Sequence, residues 1–180
     1  MTPIARLRAA TTPSHEMVDA AFGGHDLATA DDYARFLLAH ALALPAVEQR
    51  LVGEPDLPAW RERTTLLAAD LADLGHAMPP PLDFALPERP GASWGALYVT
   101  EGSRLGGIML SRSVAANLPS RYLAAKHKSG EWRALLAAID REGEAQGEHW
   151  VDGAITGALA CFVLYHQAAD RIGTPAPQPS

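Results

Sequence analysis

Cysteine is almost absent from this sequence: Cys161 is the only one among 180 residues. That excludes a disulfide framework and makes a reducing, cytoplasmic setting the expectation. Cys161 sits in the apolar run ALACFVLY, where it reads as a small buried hydrophobe and not as a reactive thiol. No uncharged apolar stretch approaches the roughly 18 residues of a membrane span. The opening MTPIARLRAATTPSHE has no apolar run of signal-peptide length either. Positive charge is not concentrated anywhere: the net charge is −6 and the arginines are scattered singly, so the basic stripe of a nucleic-acid surface is missing. Hairpin signals and internal repeats are missing too. These absences leave a small molecule as the expected partner, with no nucleic acid and no membrane.

What is present is helix pattern, on a chain of one-domain length that is 48% hydrophobic and 20% charged. Thr2 as N-cap and Pro3 at the first helical position open a helix whose apolar stripe includes Ile4, Leu7, Val18 and Phe22. Pro13 marks either a kink or a second start capped by Thr12. A second helix follows Thr29, with Tyr33, Phe36, Leu37, His40, Leu44 and Val47 at helical spacing. A third runs to about residue 74, and the proline-rich MPPPLDFALPERPG is expected to cover the body rather than link domains. Further helices are expected over 92–117, briefly within LPSRYLAAKHKSG, over 131–143, and over 144–172 with Gly173 as C-cap. The expected fold class is an all-α, single-domain helical bundle over 1–172, with a polar tail over 173–180.

The stretch YVTEGSRLGG, Tyr98 to Gly107, stands out because it puts three glycines inside one helix, each costing about 1 kcal/mol relative to alanine. Residues four apart share a helical face, so Tyr98, Gly102 and Gly106 form one line and Val99, Ser103 and Gly107 the next. The strip between them is nearly bare. Glu101 and Arg104 fall elsewhere and are expected to pair in solvent. The spacing matches neither a phosphate loop nor a dinucleotide turn, and no strand precedes it. Charges spoil a membrane dimerisation motif. Two readings remain from the residues: close packing of a neighbouring helix, or a flat ligand lying against exposed backbone.

A flat ligand such as heme needs an axial ligand from the opposite wall. No histidine pair has zinc-protease or di-iron spacing. His25 and His127 look like loop residues, His76 and His149 have no chemical context, and His40 and His166 lie on apolar faces as hydrogen-bonded core histidines do. His15 differs. Arg8 is seven residues upstream, about 10.5 Å along a helix and on nearly the same face, and Asp19 follows one turn later. A cation two turns from an imidazole suits a metal centre with peripheral carboxylates.

The segment LRAATTPSHEMVD, Leu7 to Asp19, resembles the one that carries the proximal histidine of heme oxygenases. LYVTEGSRLGG, Leu97 to Gly107, is similar to the distal helix of the bacterial branch, including the enzymes that accompany bacteriophytochromes. The order and separation of the two match, as does the arginine in GEWRALLAAID, and the resemblance spans about Leu7 to Tyr165. It implies heme held between a proximal helix and a kinked distal helix, serving as both cofactor and substrate. His15 would bind the iron, and Gly102, Gly106 and Gly107 would line the distal face. Arg8, Arg133 and Tyr98 would meet the propionates, with Phe162 near the heme edge. The implied reaction opens heme to biliverdin, CO and ferrous iron, using O₂ and electrons from a ferredoxin or an NAD(P)H-dependent reductase. A bacteriophytochrome is an implied recipient of biliverdin. Ser103 stands where mammalian-type enzymes have an aspartate that holds the proton-relay water, so Gly102, Ser103 and Gly106 are the expected catalytic surroundings. Two other classes share these features: a heme carrier or sensor that retains His15 without proton delivery, and a heme-free helical protein, either thiaminase-like or an interaction module.

Overall fold

The computed structural model describes residues 1–173, and among them it holds six helices and no strand. They are α1 (Pro3–Phe22), α2 (Ala30–Val52), α3 (Thr64–Asp73), α4 (Ala92–Ser111), α5 (Glu131–Gln146) and α6 (Glu148–Ile172). The tail expected over 173–180 lies, from residue 174, outside the described residues. No helix among the described residues is long and apolar enough to cross a membrane.

The helix starts follow local chemistry. The Thr2 hydroxyl accepts a hydrogen bond from the Ala5 amide at 3.3 Å, with Pro3 in the first turn. Pro13 does not divide α1, which continues through it for 20 residues. The proline leaves only the carbonyl of Ala9 without its helical donor, and Ala9 is exposed, so water can satisfy it. Glycines in the left-handed region, Gly91 at φ 83° and Gly130 at φ 81°, set the starts of α4 and α5.

Several boundaries differ from the sequence reading. The break between the last two helices falls at Gly147, where φ is 85°, and not at 143–144. Gly143 is instead a packing glycine: a Cβ there would meet the Pro3 ring at 2.6 Å. The helix expected over 92–117 ends at Ser111, and LPSRYLAAKHKSG forms turns rather than a short helix. The proline-rich connection does lie on the body, with Leu86 buried and the Leu82 amide donating to the Leu42 carbonyl at 2.8 Å.

One apolar core runs from Leu7 to Ala169, centred on Tyr33, Phe36, Leu37, Leu44, Leu97 and Ile139. Cys161 is buried in it, and burial pushes its thiol well above the ordinary range. Helix α6 is the common support, because α4, α1 and α2 all lie against it. Its contact with α4 is made backbone to backbone. A Cβ on Gly95 would fall inside the Ala154 carbonyl, one on Gly157 inside that of Ala92, and one on Gly153 inside that of Pro90. None of these partners is a flexible side chain that can yield. Gly95→Ala is therefore expected to destabilise the protein by about 1–3 kcal/mol despite alanine's better helix propensity. Chemical denaturation of the variant beside the wild type measures this, and an unchanged midpoint would contradict the packing described.

Candidate active site

Because α1 and α4 both lean on α6, their other ends stand on opposite sides of a cavity of about 500 Å³. One wall comes from α1, with Arg8, His15, Val18 and Phe22. The facing wall is the glycine strip of α4, from Tyr98 to Leu110. Phe36 and His40 of α2, Phe162 and Tyr165 of α6, Trp132 of α5, Arg63 and the pair Tyr122–Leu123 close the rest.

The glycines divide into two kinds. A Cβ on Gly106 would have nothing within 4 Å, so that position opens into the cavity. One on Gly102 would stand 3.3 Å from the edge of the Trp132 ring. Gly107 lines the cavity too, but a Cβ on it would come within 2.9 Å of the Leu123 carbonyl, so it also admits a neighbouring stretch of backbone. Both readings of the bare strip thus apply, to different residues.

On the opposite wall His15 is 61% exposed at its side chain, with Nδ1 3.6 Å from Asp19 Oδ2 and its ring edge-on to Phe162 at 5.8 Å. Its imidazole is open toward the cavity and held loosely on one side. Arg8 lies on the same wall at the exposed mouth. Arg133 does not join them: it is exposed on α5, and its neighbour Trp132 occupies the wall, stacked on Tyr98 at 5.7 Å between ring centres. Among the described residues no three metal-ligating side chains cluster. A lone imidazole facing bare backbone across an apolar slot fits a metal whose other ligands belong to a flat macrocycle.

Ser103 is not an isolated hydroxyl. It donates to the Thr100 carbonyl at 2.7 Å and accepts from Arg63 Nη2 at 2.7 Å. The same Nη2 donates to the Thr100 carbonyl, and the guanidinium lies over the Tyr122 ring at 5.2 Å. Arg63 is 2% exposed, and its Nε has no partner. Beside it, His40 Nδ1 and the Tyr122 hydroxyl are 2.7 Å apart. Burial, and then the charge of Arg63, push His40 down to about 3, so its imidazole is neutral at neutral pH. Tyr165 adds a buried hydroxyl without a partner.

Glu101 and Arg104, expected in solvent, are buried instead. Arg104 Nε donates to both Glu101 oxygens, at 3.1 and 3.0 Å, while its other nitrogens reach the carbonyls of Arg61 and Ala125. The pair lies on the far side of α4 from the cavity and ties two loops to it. His25 and His127 do lie in loops, but the side chains of both are buried: His25 Nδ1 is 2.6 Å from Asp32, and His127 is near Glu101.

The chain is 32% identical to a heme oxygenase of Xanthomonas campestris over 155 residues, covering 76% of this chain and 88% of that one. It is also 32% identical to the heme oxygenase PigA of Pseudomonas aeruginosa, covering 75% and 76%. The chain belongs to the heme oxygenase family. No family model matches it. In three dimensions it is similar to the heme oxygenase from Neisseria meningitidis whose NO- and CO-bound crystal structures are known, with a TM-score of 0.76, 26% identity, and coverage of 99% and 97%.

Within this heme oxygenase fold, the residues that sequence reasoning misses are Arg63, Tyr122, Tyr165 and Trp132. Arg63 gives no signal in WRERTTLL, where polar and apolar residues mix without a clear period and it looks like its neighbour Arg61. Only the fold turns one inward and leaves the other at the surface. His40 is the hydrogen-bonded core histidine that its apolar face predicts, but it also reaches the cavity.

The displaced titration of His40 has a definite sign. The unfolded chain protonates it below about 6.5, while the folded chain resists until about 3, so this residue's contribution to stability falls as pH drops between those values. Going from about pH 7 to about pH 5, the wild type is expected to lose about 2 kcal/mol more unfolding free energy than His40→Gln. Denaturant melts of both proteins at the two pH values measure the difference; equal losses would show that His40 titrates normally.

Proposed function

We propose that this heme oxygenase cleaves heme to biliverdin, CO and ferrous iron, with His15 as the iron ligand and the Gly102–Gly106 backbone as the distal wall. The observation that carries this reading is the open space above Gly106 across the cavity from an exposed imidazole. When bound, heme supplies both the redox-active iron and the macrocycle that is opened.

The chain's own residues supply position and electrostatics. His15 holds the group from the α1 side, with Asp19 one turn on to orient the imidazole. Arg8 at the mouth is the cation available for a propionate. Arg133 could serve one only from outside the wall, and Tyr98 is held by its stacking on Trp132. Phe162 braces the His15 ring. The glycines let the ligand plane approach the α4 backbone, and Val99, Leu105 and Leu110 exclude bulk water.

Protons are handled by the group around Arg63. Ser103 has its own hydrogen committed to Thr100, so it presents an oxygen fixed by Arg63 rather than a free donor. The fixed positive charge of Arg63, with the His40–Tyr122 pair beside it, gives this side of the cavity the polar groups along which protons would be delivered. Electrons come from a ferredoxin or an NAD(P)H-dependent reductase, and the product passes to a bacteriophytochrome or is discarded as iron is retained.

Single-turnover spectroscopy of the hemin-reconstituted protein under air, with ascorbate as reductant, tests the reading. A Soret band is expected to form and decay as the broad red absorption of biliverdin rises, and His15→Ala is expected to bind hemin weakly and yield no biliverdin. Arg63→Met is expected to retain hemin and slow turnover about tenfold to a hundredfold. A wild-type Soret band that persists would instead identify a heme carrier, and no Soret band at all would refute heme binding.

A further inference from the structure

A second cavity, of about 480 Å³, lies behind α4, between it, α5 and the loop before α3. It shares no wall residue with the first. Its floor is apolar, with Trp60, Leu97, Leu135 and Ala138. At its inner end stand two side chains that are each only 9% exposed, those of Glu101 and His127. Arg141 stands at its exposed rim, with no ion pair or hydrogen bond among the described residues.

The inner end is incompletely satisfied. His127 Nε2 is 3.2 Å from Glu101 Oε2 but out of line for an N–H···O bond, and that buried nitrogen has no hydrogen-bond partner. Burial pushes His127 below the ordinary histidine range, with Glu101 opposing, so a neutral ring faces the space. Glu101 accepts from a single nitrogen of Arg104, and its two oxygens have lone pairs to spare. Buried groups of this kind are ordinarily paired. The Glu101 oxygens call for a donor from a bound molecule, and the His127 N–H for an acceptor.

The ring of His127 also stacks on Trp132 at 5.6 Å, and Trp132 stacks on Tyr98 at 5.7 Å. Trp132 and Tyr98 are walls of the first cavity. Glu101 is the chain neighbour of Gly102. The two cavities are therefore separated by one aromatic stack and one turn of α4.

We propose that the second cavity is a ligand site for a planar aromatic carboxylate that carries an N–H or O–H donor, and that its occupancy is felt in the first cavity through the His127–Trp132–Tyr98 stack. The donor would face Glu101, the flat body would lie on Trp60 and Leu97, and the carboxylate would meet Arg141. An organic cation is disfavoured because the two carboxylates of this cavity, Glu131 and Glu101, are already paired with Arg61 and Arg104.

Indole-3-acetate is the probe, titrated calorimetrically into the protein with and without hemin, with the Soret band recording hemin occupancy in each sample. One saturable site is expected, weakened about tenfold in Arg141→Ala and abolished in Ala134→Trp, which fills the cavity from its exposed rim. By reciprocity of linkage, the probe's affinity is expected to differ between hemin-loaded and hemin-free protein while both still bind it. The site is refuted if neither form binds the probe, if hemin displaces it, or if Ala134→Trp binds as the wild type does. The link between the cavities is refuted if the two affinities are equal. Should the protein take up no hemin, that failure belongs to the heme reading, and the titration without hemin still decides the second site.

Discussion

Backbone contact between α4 and α6 is what the rest of this molecule is built on. Gly95 on α4, and Gly153 and Gly157 on α6, leave no room for even a methyl group between the two chains of peptide. With its first half held that closely, α4 cannot slide or rotate, and its second half projects across from α1, itself supported on α6. The cavity is the space left between two helices that share one support. The glycines of α4 thus act in two ways along one helix: at residue 95 they let protein in, and at 106 they leave room for something else.

Charge reinforces that placement from behind. Arg104 and Glu101 form a buried pair on the outer face of α4, and Arg104 also gathers the carbonyls of Arg61 and Ala125. Arg63, two residues beyond Arg61, crosses under α4 to the Thr100 carbonyl and Ser103. A buried cation is costly unless it is partnered, so the contacts these groups make define where the loops before α3 and α5 must lie. The Glu48 carboxylate completes the arrangement by accepting from the amides of Arg63 and Thr64, which fixes the start of α3 and with it the side chain of Arg63. A polar network at the back of the α4 wall therefore depends on residues from four separate segments.

The helices themselves are legible in the sequence, because capping residues and the apolar stripe are local signals: Thr2, Pro3 and Gly173 mark ends that the structure retains. His15 and the glycine strip are legible for the same reason, each within one helix face. At Pro13 the helix runs on without a second start because an exposed carbonyl can turn to water, and Gly143 misleads because it is a glycine for packing and not for turning. The burial of Glu101 and Arg104 cannot be read from spacing, since a pair three residues apart looks alike on an exposed face and under a loop. Arg63 is invisible for a related reason. Its role is made by contacts distant in the chain, among them Thr100 and Ser103, 37 and 40 residues away, and nothing near it in the chain records them. Arg133 shows the converse: its motif is plain in the sequence, but the helix turns Trp132 inward and Arg133 out.

The most direct test of the account uses Gly106→Leu. That position has open space where a side chain would start, so leucine should not disturb the fold, and better helix propensity should raise stability by up to about 1 kcal/mol. The same side chain would stand in the slot that a flat ligand needs. Hemin titration followed at the Soret band, run beside a denaturant melt, should therefore give a protein as stable as the wild type or more so, with hemin affinity reduced at least about tenfold. Unimpaired hemin binding by a stable variant would contradict the central claim that the open backbone of α4 is the wall against which the ligand lies.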